Sequence, residues 1–197
     1  METEIEAKFL DIDPERLRKK LKTLGAKLIH PERMMTRRTY DTPDKRLREV
    51  KGWVRVRNEG GKTTLSYKQL NDRTLHGTKE VTVVVDDFEK TCKFLTAIGL
   101  VQKAYQETRR GKWMLGDVEV TIDTWPWIPA FVELEGESEK ALKKAAKDLG
   151  FDWKDAMHGS VETAYQKYYD VTEEEIDGWK KITFSPIPDW LEKKKKQ

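Results

Sequence analysis

Apolar and polar residues alternate along most of the chain, and this period predicts strands. In the first stretch Glu4, Glu6 and Lys8 share one parity, and Ile5, Ala7 and Phe9 the other. An extended segment there puts two carboxylates and an ammonium on one face and an apolar row on the opposite one. Residues 26–42 read as a strand interrupted near Pro31. In 52–58, Trp53, Arg55 and Arg57 oppose Val54 and Val56. In 62–70, Thr64, Ser66 and Lys68 oppose Leu65 and Tyr67, and in 78–85 Glu80 and Thr82 oppose Val81, Val83 and Val85. Residues 100–115 read as a long strand, with Thr108, Arg110 and Lys112 on one face and Arg109 and Trp113 on the other. Residues 118–123 alternate Val118, Val120 and Ile122 with Glu119, Thr121 and Asp123. In 131–135, Val132 and Leu134 face away from Glu133 and Glu135.

Three segments change to the helical period. Asp13-Pro14 opens the first as N-cap and first-turn proline; Leu17, Leu21 and Leu24 follow, and Gly25 ends it. Asp86-Asp87 opens the second, which carries Phe88, Cys92, Leu95 and Ile98 and stops at Gly99. The third is 138–149, with Gly150 as its stop, and a shorter helix is expected over 161–169. Turn chemistry marks Asp41–Asp44, Glu59–Gly61 and Gly116-Asp117, and Trp125–Pro129 reads as a rigid connection. In the remainder, Ile182–Phe184 is a candidate short strand and Trp190-Leu191 a candidate docking anchor on the outside. There is no tandem repeat and no low-complexity linker. Hairpin-rich β structure with inserted helices predicts one antiparallel α+β domain.

Composition sharpens this picture. The 197 residues are 37% hydrophobic and 37% charged, so either the surface is heavily charged or charges also line an interior cavity. A net charge of +3, from 38 basic and 35 acidic residues, does not signal a specific nucleic-acid or membrane partner. Lys193–Lys196 reads as a frayed, solvated tail. The single cysteine, Cys92, excludes an intramolecular disulfide and falls on an apolar helix face. The N-terminus is acidic where a signal peptide is basic and then apolar, and no apolar run approaches the roughly 18 residues of a membrane span. A cytoplasmic protein is expected.

The candidate chemistry lies on the polar strand faces. These carry Glu4, Glu6, Lys8, Arg55, Arg57, Lys68, Glu80, Arg110, Asp123, Glu133 and Glu135. Like charges two residues apart on a strand repel and serve no structural purpose. Two readings remain open. The faces are solvated and laced with surface salt bridges worth under about 1 kcal/mol each, or a closed barrel turns them inward around a hydrated tunnel. In the second reading Arg and Lys clamp phosphate oxygens, and carboxylates hold Mg²⁺ or Mn²⁺ as mediator. Competing chemistry is thin. His30, His76 and His158 are far apart, and there is no Walker-type glycine loop and no G-x-S-x-G elbow. Trp125 and Trp127 read as core or as the border of a ligand mouth.

Glu4-Ile5-Glu6-Ala7-Lys8 resembles the N-terminal E-x-E-x-K of the CYTH superfamily, the triphosphate tunnel metalloenzymes. The likeness continues in order through Tyr40–Asp44, Val54–Arg57, Tyr67-Lys68, Lys79–Val81, Arg110 with Trp113, Asp123 and Phe131–Glu135, over about residues 2–170. It implies an eight-stranded antiparallel β-barrel with helices packed outside, formed by residues 1–170, with 171–197 as an extension packed on or trailing from the domain. It implies metal at Glu4, Glu6, Glu80, Asp123, Glu133 and Glu135. Triphosphate would lie against Lys8, Arg55, Arg57, Lys68 and Arg110, with Lys112 and Arg38 as further contacts. Glu4, Glu6, Lys8, Lys68 and Arg110 would be catalytic. Two positions depart from the pattern. Thr108 stands where cyclase-like members often carry lysine, and Arg38 where the family has an aspartate; one basic contact is then expected from another strand. The leading expectation is a metal-dependent triphosphatase acting on a small-molecule triphosphate. A class IV-type adenylyl cyclase and a non-catalytic triphosphate sensor are the alternatives, and a homodimer is compatible with either.

Overall fold

The computed structural model describes residues 1–196. Its strands are β1 (Glu2–Glu4), β2 (Glu6–Phe9), β3 (Lys27–Asp41), β4 (Gly52–Asn58), β5 (Thr63–Leu70), β6 (Thr78–Val85), β7 (Val101–Leu115), β8 (Val118–Thr124), β9 (Phe131–Glu135) and β10 (Lys181–Ile182). The helices are α1 (Pro14–Thr23), α2 (Arg46–Glu49), α3 (Phe88–Ala97), α4 (Glu139–Leu149), α5 (Glu162–Tyr168), α6 (Glu173–Asp177) and α7 (Asp189–Glu192), with a 3₁₀ turn at Trp153–Asp155.

The strands follow the spatial order β1-β6-β5-β4-β3-β7-β8-β9-β2, and every neighbouring pair is antiparallel. The two ends of this order, β1 and β2, are consecutive in the chain and separated only by Ile5. This closes the barrel. The first stretch is therefore two strand halves rather than the one strand its alternation predicts. Glu4 pairs with Thr78 of β6, and Glu6 with Glu135 of β9. At the crossing the Ile5 carbonyl accepts a hydrogen bond from Gly136 N at 3.2 Å. Counted as one strand, the halves give the expected eight-stranded barrel with helices outside.

Closure turns the apolar faces outward; helices cover those of β2, β8 and β9, while Val81 and Val83 of β6 stay exposed. Leu17 and Leu21 of α1 and Leu142, Ala146 and Leu149 of α4 pack with Ala7, Phe9, Val120, Ile122, Val132 and Leu134 of the barrel wall. Each fully buried side chain of this size contributes about 1.5–3 kcal/mol. Asp13 caps α1 by accepting from Glu15 N and Arg16 N at 3.0 and 3.1 Å, as its sequence position predicts. α3 buries Cys92 and Leu95 against Tyr40 and Val56, so the cysteine is core.

The third cluster joins the barrel to the C-terminal segment. Trp125, Ile128, Phe131, Tyr165 and Tyr169 pack with Val171, Ile176, Trp179, Ile182 and Leu191. β10 adds a parallel strand to β7, opposite Tyr105 and Gln106. Of the expected anchor pair, Leu191 is fully buried and Trp190 is 47% exposed, lying against Trp179 with ring centroids 5.3 Å apart. The lysine run is not frayed: Asp170 N donates to Lys194 O at 2.7 Å, and Lys196 N to Tyr168 O at 2.8 Å. Backbone hydrogen bonds hold it, which side-chain charge does not reveal. Among the described residues no helix is long and apolar enough to cross a membrane.

Candidate active site

The barrel interior is a cavity of about 690 Å³. Glu4 from β1, Glu6 and Lys8 from β2, Glu80 from β6, Glu119 from β8, and Glu133 and Glu135 from β9 line its acidic side. Arg37 from β3, Arg55 and Arg57 from β4, Lys68 from β5, and Arg110 and Lys112 from β7 line it with cations. The closed barrel thus gathers the charged rows that the alternation predicts, and the solvated-face reading does not hold for them.

The walls are cross-linked by ion pairs. Lys8 Nζ, only 2% exposed as a residue, donates to Glu6 Oε1 at 2.9 Å and to Gly159 O at 2.6 Å, and lies 3.3 Å from Glu133 Oε1. Lys68 Nζ donates to both Glu4 oxygens at 2.8 Å and pairs with Glu80 Oε2 at 3.0 Å. Arg55 Nη2 reaches Glu80 Oε1 at 3.0 Å. Arg110 donates to Asp123 Oδ1 at 2.6 Å and to Glu133 Oε2 at 2.7 Å. Lys112 pairs with Glu119. Arg57 donates to Glu59 Oε1 from Nε at 2.9 Å and from Nη2 at 2.6 Å.

Burial and crowding separate the acidities. Burial and a hydrogen bond with Glu80 push Glu4 up to about 8, against the pull of Lys68. Despite burial, the bond with Glu4 together with Lys68 and Arg55 holds Glu80 well below the carboxylate range. Glu4 therefore keeps its proton to higher pH than Glu80 does. Burial also opposes ionisation of Glu133, but Lys8 and Arg110 hold it down to about 2. Burial, then Glu119 and Glu6, raise Glu135, for which no cationic partner is found among the described residues. On the basic side, burial and the neighbouring Arg57, Arg55 and Arg110 drive Arg37 well below the usual guanidinium range. Burial and Arg57 lower Arg55 to about 10. Nε of Arg37 and of Arg55 is buried without a hydrogen-bond partner. This cluster is short of anionic charge.

Two residues expected in the site lie elsewhere. Arg38 is on the outer face: its guanidinium pairs with Glu89 at 2.9 and 2.8 Å and stacks 5.1 Å over Phe88. Its neighbour Arg37 points inward instead, 4% exposed, stacked 4.6 Å over Trp125 and donating to Thr108 Oγ1 at 2.5 Å. The reason is register. β3 runs without interruption from Arg33 to Thr39, so Arg37 and Arg38 take opposite faces, and Arg37 lies opposite Arg57 of β4 and shares its inward face. From another strand, Arg37 brings a guanidinium to the place where Thr108 stands. Asp123 is fully buried behind Arg110, also bonded by Thr121 Oγ1 at 2.7 Å, and does not line the cavity. This placement suits positioning of Arg110 better than metal binding. Trp125 borders the cavity; Trp127 instead donates Nε1–H to Ser185 O at 3.0 Å, outside it. Of the histidines, His158 Nδ1 lies 3.1 Å from Glu6 O, a backbone contact. Sequence reasoning also missed Glu59 and Glu119, whose parity with Arg57 and Asp123 is the signal that could have found them.

The acidic wall fits a hard divalent cation. Its donors are carboxylate oxygens, and burial and mutual repulsion among them raise Glu4 and Glu135. Among the described residues no three acids are drawn into ready-made metal geometry. Lys68 ties Glu4 and Glu80, while Lys8 and Arg110 tie Glu133.

An antiparallel barrel with a charged bore, an arginine cluster facing a carboxylate wall, defines the class of fold. The model of the CYTH domain matches residues 2–169, and the chain belongs to that family. A search of curated proteins finds no match. Several solved structures share the fold. A candidate adenylate cyclase from Vibrio parahaemolyticus is 14% identical, with a TM-score of 0.72 over 84% of this chain and 98% of that one. The PH1012 protein of Pyrococcus horikoshii is 23% identical, with a TM-score of 0.64 over 78% and 93%. A Hippeastrum protein with a dominant triphosphatase activity is 14% identical, with a TM-score of 0.57 over 90% and 95%.

Proposed function

We propose that the protein is a divalent-metal-dependent hydrolase of triphosphate-containing substrates, bound within the barrel. The observation that carries this reading is the guanidinium cluster of buried Arg37 and Arg55 and half-buried Arg57 and Arg110, set across one cavity from Glu4, Glu6, Glu80 and Glu133. Four guanidinium groups around one cavity, two of them (Arg37 and Arg55) with a buried, unpartnered Nε, call for an anion of several charges, and a triphosphate supplies phosphate oxygens in a row. Mg²⁺ or Mn²⁺ held by Glu4, Glu6, Glu80, Glu133 and Glu135 neutralises charge on the transferring phosphoryl group when bound.

The protein groups bind and orient. Arg55, Arg57 and Arg37 grip the phosphates, while Lys8 and Lys68, held between their carboxylates, steer phosphate oxygens. Arg110, locked by Asp123, presents its outer nitrogens to the phosphoryl oxygens and stabilises the charge that spreads over them. Water forms the new bond to the terminal phosphorus, the bridging P–O bond breaks, and the diphosphate leaves. The proton of the attacking water passes to the acidic wall, where Glu4 has its carboxyl raised to about 8.

Phosphorus NMR of reactions with inorganic triphosphate and ATP, in Mg²⁺ or Mn²⁺, tests this. Orthophosphate and a diphosphate product are expected. Cyclic AMP with pyrophosphate would make the protein a cyclase, and binding without turnover would make it a sensor; either outcome overturns the hydrolase reading.

A further inference from the structure

β6 is paired along one edge over its whole length and along the other over less than half. β5 pairs with it from Thr78 to Val85. β1 covers the opposite edge only at Thr78–Glu80, and among the described residues Val81–Val85 have no partner there. By the period of a strand, about two or three of these residues aim their N–H and C=O groups off that edge. Val81, Val83 and Val84 are 48%, 51% and 65% exposed, and Thr82 is exposed with them. The segment Val81-Thr82-Val83-Val84-Val85 is β-branched throughout, with no charge, proline, glycine or bulge. Those devices keep a sheet edge from pairing, and without them the edge is a template for another strand.

The free edge fits a second copy of itself. Val83 is its middle residue, and β6 ends at Val85, where Asp86-Asp87 lead into α3. An antiparallel copy about a two-fold axis at Val83 sets Val81 opposite Val85, Thr82 opposite Val84, and Val83 opposite its own copy. The incoming strand ends at its Val85, just short of Glu80, where Glu2 of β1 already holds the edge. Opposite residues then share a face, so the outward Val81, Val83 and Val85 of both copies form one apolar row. Charge agrees with this direction. Lys79 is exposed at one end of the segment, while Glu80 is tied inside to Lys68 and Arg55; Asp86-Asp87 stand at the other end. Antiparallel pairing brings the basic end of each strand to the acidic end of its copy, and parallel pairing would bring like ends together.

We propose that the chain forms a symmetric dimer in which Val81–Val85 of β6 pairs antiparallel with the same segment of a second copy, about a two-fold axis at Val83. The inference is independent of the hydrolase reading. It bears on the tunnel all the same: Glu80, Val81 and Thr82 border an opening of about 640 Å³ together with Glu4, Glu119 and Glu135, so the added strand stands beside the acidic mouth. An edge this short makes an interface at the small end for specific association, with a Kd of about 1–100 μM.

Sedimentation velocity of the full chain across about 1–200 μM tests this, and a monomer–dimer equilibrium that levels off at the dimer is expected. Val83→Lys and Val83→Glu each set two like charges at the axis and should weaken the dimer at least about 10-fold. An equimolar mixture of the two variants should restore it, because position 83 of one copy then meets the opposite charge at position 83 of the other. Val83 lies outside the barrel, so both variants should melt within about 4 °C of the wild type. Hydrogen exchange on the unaltered protein gives a second reading that needs no variant. Within Val81–Val85, the amides that point away from β5 should exchange at least about 10-fold more slowly in the concentrated sample than in the dilute one. A monomer at every concentration, association with no dimer plateau, or exchange unchanged by concentration would overturn the proposal. So would a wild-type Kd in Val83→Lys, or variants that stay monomeric when mixed.

Discussion

Arg37 and Arg38 are adjacent in sequence and differ in every physical respect. Arg37 is buried, stacked on Trp125 and aimed at the cavity; Arg38 is on the surface with Glu89. Arg37→Ala should lower kcat/KM for a triphosphate by about 10²–10³-fold, as expected for loss of one preorganised donor to developing charge. Arg38→Ala removes only a surface pair worth up to about 1 kcal/mol and should leave turnover intact. Steady-state assays of the two variants check the assignment, and the reverse result would return Arg38 to the site. Glu162 gives a prediction in pH. Its carboxyl rises from the ordinary 4.5 to about 7 on folding, so the native state holds a proton that the unfolded chain releases. Stability from this group is complete below about pH 4.5, declines between there and about 7, and is level above, for a loss of up to about 3 kcal/mol. Thermal melts of Glu162→Gln should therefore match the wild type in acid and exceed it by several degrees at about pH 8. A constant difference across pH would mean that the carboxyl is not held protonated.

At the scale of elements, two features organise the molecule. The split at Ile5 lets one short run of chain pair with β6 on one side and β9 on the other, so closure needs no long connection. It also sets Glu4 and Glu6 side by side inside the barrel. The C-terminal segment is the second feature. α6 starts with a capping box between Thr172 and Glu175, and β10 and α7 bring Ile182 and Leu191 into one cluster with Trp125 and Tyr165. Leu191→Ala should cost about 2–5 kcal/mol through the cavity it leaves. Chemical denaturation should show this as a lower midpoint in a single transition. A variant as stable as the wild type, or a separate early transition for the C-terminal segment, would mean that the segment does not share the barrel's core.

For the whole molecule, the charge balance inside the tunnel predicts what happens without metal. Lys68 already neutralises Glu4 and Glu80, and Lys8 and Arg110 neutralise Glu133, so the acids do not need a cation to fold. Chelation should abolish turnover, and Mg²⁺ or Mn²⁺ should restore it, while the melting temperature moves by only about 1–3 °C. Unfolding on chelation would show that the metal holds the walls together. Most of this architecture is legible in the chain. The period of two in Val54–Arg57 or Phe131–Glu135 states which side chains share a face, because strand geometry leaves no other option. Capping residues such as Asp13 and Ser138 mark their helices for the same local reason. Where a face goes is not local. The charged rows could have met water, and only barrel closure turns them toward one another. Register decided that Arg37 enters the tunnel and Arg38 does not: Arg37 pairs with Arg57 of β4 and shares its face, and that pairing depends on the partner strand. The same holds for Glu162 and Trp179, which come from helices and loops far along the chain and reach the cavity only through packing. Sequence by itself determined the strands, the helices and the kind of charge on each face; tertiary structure decided which charges meet, because that depends on contacts between residues far apart in the chain.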